Sequence, residues 1–137
     1  MDHPHLKYQR LIDFCKALPP TSVAVAHPCD EASLTGAMDA ARAGLIAPLL
    51  VGPRDRIEAT ARRFGIDISG VPVIDVPHSH AAAERAVELV REGSAEALMK
   101  GSLHSDELLA EVTKRETGLR TARRISHVFI MDVPDHP

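Results

Sequence analysis

Four short apolar runs punctuate the chain: Val23-Ala24-Val25-Ala26, Pro48-Leu49-Leu50-Val51, Val71-Pro72-Val73-Ile74-Asp75-Val76 and Ala97-Leu98-Met99. Their even spacing, about 24 residues from start to start, and their continuous apolar character predict strands buried on both faces. The segments between them carry helical periodicity. Leu34, Ala37, Met38, Ala41 and Leu45 share one face, and that helix is expected to begin at an Asp30 N-cap and stop at Gly44. Gly52-Pro53 opens the next helix, with Pro at its first position. Ile57, Ala61 and Phe64 form its inner stripe, and Gly65 ends it. Ser79 is the expected cap of a third helix, which turns Ala83, Ala86, Val87 and Val90 inward and ends at Gly93. Ser105 is the expected cap of a fourth, which carries Leu108, Leu109 and Val112. A further helix before the first strand carries Tyr8, Leu11, Ile12, Cys15 and Leu18 and stops at Pro19-Pro20. The run from His127 to Val133 predicts a fifth strand.

The order is therefore α-βα-βα-βα-βα-β. Strands that alternate with helices predict an α/β class fold, a mostly parallel sheet with helices on both faces. No linker composition divides the chain, so residues 1–137 are read as belonging to one domain. The chain stops soon after the last predicted strand, at Asp135-His136-Pro137, with no helix to cover it. The expectation is that this domain is incomplete, or that its sheet pairs with something else.

Composition narrows the class. Hydrophobic residues make up 45% of the 137, while aromatics are only 3% and Trp is absent, so the core must be built from Ala, Val, Leu and Ile. The net charge of −3 disfavours a nucleic-acid partner, which demands an excess of Lys and Arg. Cys15 and Cys29 form no CxxC and read as reduced thiols of a cytoplasmic protein. The start of the chain is charged and lacks an apolar leader core, and nothing approaches the ~18 apolar residues of a membrane span.

In an open parallel sheet, ligands gather at the carboxyl ends of the strands. Four loops qualify: 27–31, 52–55, 77–80 and 100–106. In the fourth, Lys100 follows its strand directly, Gly101 permits close backbone approach, and Ser102, His104 and Ser105 crowd the next helix N-terminus. Free N–H groups and the helix dipole favour anions there. That arrangement makes a candidate phosphate cradle, although an ordinary strand-to-helix turn has the same look. Neither a Walker A loop nor a GxGxxG fingerprint is present, which disfavours the common nucleotide and dinucleotide folds. There is no GxSxG elbow either. Asp30-Glu31 reads as a cap and dipole pair. His78 and His80, with His27, Cys29 and Asp75 as possible neighbours, make at most a weak metal signal, and no metal is expected. Lys114, Arg115, Arg120, Arg123 and Arg124 form a basic cluster in an otherwise acidic chain. It is either a solvated helix end or a contact for a polyanion at the ligand edge.

The stretches VAHPCDEASLTGAMDAARAGLIAPLLVGPRDRI (25–57), ALMKGSLHSDELLAEV (97–112) and RRISHVFIMDVPDHP (123–137) resemble the phosphate acetyl/butyryltransferase family. The resemblance runs from about Tyr8 to the C-terminus. HPCDEASL looks most like the acyltransferase part of bifunctional enoyl-CoA hydratase/phosphate acetyltransferases. Lys100-Gly101-Ser102 and Met131-Asp132-Val133-Pro134 look more like butyryltransferases. The resemblance implies a two-domain α/β architecture of the isocitrate/isopropylmalate dehydrogenase-like class, of which this chain is the N-terminal part. It also implies direct acyl transfer between coenzyme A and phosphate, with no cofactor beyond these substrates, and a homo-oligomer, expected to be a dimer. The family's principal catalytic serine, arginine and aspartate would belong to the half not covered here. Lys100, Gly101, Ser102, His104 and Ser105 would line the phosphate site, and Arg120, Arg123 and Arg124 would meet coenzyme A. The competing readings are a non-catalytic α/β binding or regulatory module and an oxidoreductase on the related fold, whose site signatures are not seen.

Overall fold

A computed structural model describes residues 6–133 and 136. Its elements are α1 (Leu6–Lys16), β1 (Thr21–Ala26), α2 (Glu31–Arg42), β2 (Ile46–Gly52), α3 (Arg54–Phe64), β3 (Val73–Asp75), α4 (Ser79–Arg91), β4 (Ala97–Lys100) and α5 (Ser105–Val112). Among the described residues the sheet has four strands in the order β3-β2-β1-β4. Every pairing is parallel, with Ala26 level with both Val51 and Lys100, and Gly52 level with Asp75. The carboxyl ends of all four strands therefore meet along one edge.

Alternation along the two central strands builds two cores. Val23 and Val25 of β1 and Leu50 of β2 pack with Leu34, Ala37, Met38, Ile57 and Ala61 from α2 and α3. Ala24, Ala26 and Val51 point the other way, onto Ala82, Ala83, Ala86, Leu89 and Leu108 of α4 and α5. Alanines dominate this second face, so the helices approach the strands closely without aromatic filler. The chain passes over one face from β1 to β3, then crosses to the other face to reach β4. That reversal puts a topological switch between β1 and β4, where the following helices depart to opposite faces.

Several expected helix starts shift by one residue. Asp30 caps α2 as expected, accepting a hydrogen bond from the Ser33 amide at 2.9 Å. Pro53 is the N-cap of α3, not its first helical residue, because its ψ of 113° is still extended. The amide of Arg54 is instead satisfied by the Asp75 carboxylate at the end of the neighbouring strand, at 2.9 Å. His78, not Ser79, caps α4, with Nδ1 accepting from the Ala81 amide at 3.1 Å. His104 stands at the N-cap of α5, with no side-chain cap hydrogen bond, and Ser105 is the first helical residue. Gly65 ends α3 in the left-handed region, at φ 63°.

One expected element needs correction. The fifth strand is not formed: residues 127–133 have no regular secondary structure, and Val128, Phe129, Ile130 and Met131 are all more than 70% exposed. The segment is strand-like in pattern, but among the described residues it pairs with no strand and its apolar side chains stay exposed. Helix α1 buries none of its residues; Leu6, Tyr8, Leu11 and Phe14 are exposed.

Candidate functional site

The carboxyl edge is organised around the switch between β1 and β4. Here the loop after β1 and the loop after β4 are sewn together by backbone and side chain. The Gly101 amide donates to the Ala26 carbonyl at 2.8 Å, and the Ser102 amide donates to the His27 carbonyl at 2.7 Å. A Cβ on Gly101 would lie 2.3 Å from the Ala26 oxygen and 2.4 Å from the His27 oxygen. The glycine is therefore demanded by the neighbouring backbone, a different reason from the close ligand approach expected from sequence.

His27 sits at the centre of this seam. It is 3% exposed and adopts φ 58°, the only positive φ of a non-glycine among the described residues. Its Nδ1 lies 3.0 Å from Ser102 Oγ and 3.1 Å from the Ser102 carbonyl oxygen. A carbonyl can only accept, so Nδ1 carries the hydrogen in the tautomer this network selects. Ser102 Oγ donates to the His27 carbonyl at 2.8 Å and accepts from the Cys29 amide at 3.1 Å. Nε2 is then left as an acceptor facing Arg56 Nη1 at 3.4 Å. Sequence reasoning placed His27 in a candidate loop and in a weak metal group, with a structural or surface role favoured. The signal available was its position directly after the first strand and before a proline.

The five residues expected at the phosphate loop are contiguous at this edge but differ in what they present. Lys100 is exposed, with Nζ 3.3 Å from the Gly101 carbonyl oxygen. Gly101 is buried, and the Ser102 hydroxyl is committed to the inner seam. His104 and Ser105 are exposed at the start of α5. Asp106 and Glu107 offset part of the positive helix end, and Glu107 accepts a 2.8 Å hydrogen bond from Ser79.

Local electrostatics follow from these contacts. Hydrogen bonds from the Ser33 hydroxyl and amide hold the Asp30 carboxyl below its ordinary range, with smaller help from Lys100 and His27. Burial pushes the Cys29 thiol up, against the pull of nearby Arg56.

Arg120, Arg123 and Arg124 lie elsewhere. They line a cavity of about 540 Å³ with Val112 and Thr113, at the far end of α5. Eight helical residues carry the chain roughly 12 Å away from the strand ends, and Arg91, at the last turn of α4, holds the Gly118 carbonyl at 3.1 Å. Of the two places the sequence left open for the basic cluster, the structure therefore shows the helix end and not the carboxyl edge. Lys114 is also paired with the buried Glu111 at 2.9 Å. The weak metal group does not assemble either. His27 is in the seam and His78 is a cap, while His80 falls in with Glu84 and Glu111, their ligand atoms within 4.8 Å of one another.

An open parallel sheet with a switch point between β1 and β4 defines an α/β protein, the class in which ligands gather in the crevice outside the strand ends. No family model matches the sequence. Individual relatives do. The chain is 58% identical over 130 residues to phosphate acetyltransferase of Rhizobium meliloti, covering 95% of this chain and 41% of that protein. It is 49% identical over 118 residues to phosphate acetyltransferase of Rickettsia felis, covering 86% of this chain and 34% of the relative. It is 37% identical over 110 residues to phosphate butyryltransferase of Clostridium acetobutylicum, covering 80% and 36%. The chain belongs to the phosphate acetyl/butyryltransferase family and spans 34% to 41% of the length of these relatives. The fold agrees with EutD phosphotransacetylase from Staphylococcus aureus at a TM-score of 0.60 and 17% identity, over 79% of this chain and 43% of that one.

Proposed function

We propose that the protein carrying this sequence exchanges an acyl group, acetyl or butyryl, between coenzyme A and inorganic phosphate. The observation that carries the reading is the 58% identity to a phosphate acetyltransferase over 95% of the chain. In this reading a phosphate oxygen attacks the thioester carbonyl carbon. The C–O bond forms, the C–S bond breaks, and the electron pair leaves on the coenzyme A sulfur. Most of the catalytic work is holding two anionic substrates in line and stabilising the tetrahedral oxyanion.

The carboxyl edge supplies the phosphate side. Lys100 offers a full positive charge, His104 and Ser105 offer donors at the start of α5, and Gly101 and Ser102 fix the loop that presents them. Arg120, Arg123 and Arg124 take the coenzyme's phosphates, which lie far from its thiol along an extended arm. That distance suits a cluster removed from the strand ends. Residues 1–137 form the N-terminal part of the catalytic region. The enzyme works as a cytoplasmic homodimer with no metal, no further cofactor and no nucleic-acid partner. Among the described residues no helix is long and apolar enough to cross a membrane.

The test is thiol release from acetyl-CoA and butyryl-CoA in the presence of phosphate. The natural gene product is expected to turn over at an ordinary enzymatic rate, ~1–10³ s⁻¹, and the isolated 137 residues at a negligible one. Lys100→Ala should weaken phosphate use by about tenfold, as expected for one charged hydrogen bond. Absence of phosphate-dependent thiol release with either thioester would refute the assignment.

A further inference from the structure

The least ordinary residue of the switch crevice is His27. A non-glycine residue held in the left-handed region is uncommon and persists where the surroundings over-determine it. Here the surroundings are visible: Nδ1 is spent on Ser102, the backbone carbonyl receives both the Ser102 amide and hydroxyl, and burial leaves one ring atom, Nε2, with an outward task. That atom faces Arg56. The arginine is exposed in the first turn of α3, and among the described residues no carboxylate pairs with it. Its neighbours in the same turn are already engaged. The Arg54 amide meets Asp75, and its side chain meets the Val73 carbonyl at 3.0 Å. Arg56 is thus a cation at the strand-end edge, steered by a buried imidazole and left without a counter-ion.

We propose that Arg56 is a phosphate-binding residue of the strand-end crevice and that His27 is the positioning residue that aims it. This rests on the carboxyl edge being the phosphate site, as argued above, and adds to Lys100, at the end of β4, a second cation from the first turn of α3. The ligand class is a small phosphate dianion, inorganic phosphate or the phosphoryl end of an acyl phosphate. Two cations from different elements suit such an ion, since each meets a separate oxygen and a fork-shaped guanidinium can take two. The 3.4 Å contact to Nε2 is long for a hydrogen bond, so it biases the arginine's direction and leaves its N–H groups available.

The substitutions follow from the geometry. Asparagine tolerates positive φ and places an amide nitrogen where His27 carries Nδ1, so His27→Asn keeps the seam to Ser102 but loses the contact to Arg56. Binding of inorganic phosphate alone and of free coenzyme A alone is measured by titration calorimetry on the natural gene product, with thermal melts as the fold control. Arg56→Ala should weaken phosphate binding about tenfold or more and leave coenzyme A binding within about twofold. His27→Asn should melt near wild type and weaken phosphate severalfold. The double variant should bind no worse than Arg56→Ala alone, because the histidine acts only through the arginine.

If Arg56→Ala binds phosphate like wild type, the proposal is overturned even if His27→Asn fails to fold. It is also overturned if His27→Asn is well folded and binds normally, or if the loss falls on coenzyme A instead. Loss with Lys100→Ala but with neither of these variants would leave the acyltransferase reading standing and remove this inference. A wild-type protein with no affinity for phosphate would remove both.

Discussion

At Gly101 the whole crevice depends on the absence of one carbon atom. The backbone carbonyls of Ala26 and His27 occupy the space a Cβ would take, well inside the closest approach real Cβ atoms make. Gly101→Ala must therefore push β1 and β4 apart at their carboxyl ends, breaking the amide bonds from Gly101 and Ser102. The expected cost is about 1–3 kcal/mol, as for other overpacked sites, read as a lowered urea midpoint. A wild-type midpoint would mean the two strand ends are free to separate. Cys29 shows how context changes a side chain at the same edge. Its thiol is raised by burial and so stays protonated at neutral pH, making it a poor nucleophile although it sits beside Arg56. The sequence marks these positions only as a glycine and a cysteine after strands. What each does depends on atoms 70 or so residues away.

Among the elements, α2 has the most completely specified start. Asp30 caps it through the Ser33 amide and hydroxyl, and those bonds also depress the Asp30 carboxyl. A depressed carboxyl contributes stability that is present above the ordinary carboxylate range and is lost as pH falls through the folded-state value. Asp30→Ala should cost about 1 kcal/mol at neutral pH, and the gap to wild type should close in acid below that range. Urea unfolding at both pH values measures it, and a gap that persists in strong acid would assign the loss to something other than the ionised cap. The α3 start follows a different logic. Its cap comes from Asp75, twenty-one residues along the chain and one strand over in the sheet. Helical periodicity was legible at every helix, whereas the identity of the cap was legible only where the capping side chain is its own neighbour.

Over the whole molecule, the two candidate anion sites lie at opposite ends of α5. Lys100 and the crevice are at the strand ends, while Arg120, Arg123 and Arg124 line the cavity beyond Val112. If that cavity serves the coenzyme, Arg120→Ala and Arg123→Ala should raise its KM severalfold without changing the KM for phosphate, and the effect should shrink in high salt. Equal effects on both substrates would show that the separation has no functional meaning. The sequence by itself determined the α/β class, the parallel sheet, the four strands and the helices between them, because burial periodicity is written locally. It also placed the candidate phosphate loop at a strand end. Only the tertiary structure decided the strand order, and with it the switch point that joins His27 to Ser102 and turns Arg56 toward the same edge. Tertiary context likewise left residues 127–133 without strand partners and carried the basic cluster away from the crevice. These are long-range facts: a hydrogen bond between residues 27 and 102 depends on which strands lie side by side, and no local pattern of apolar positions encodes that choice.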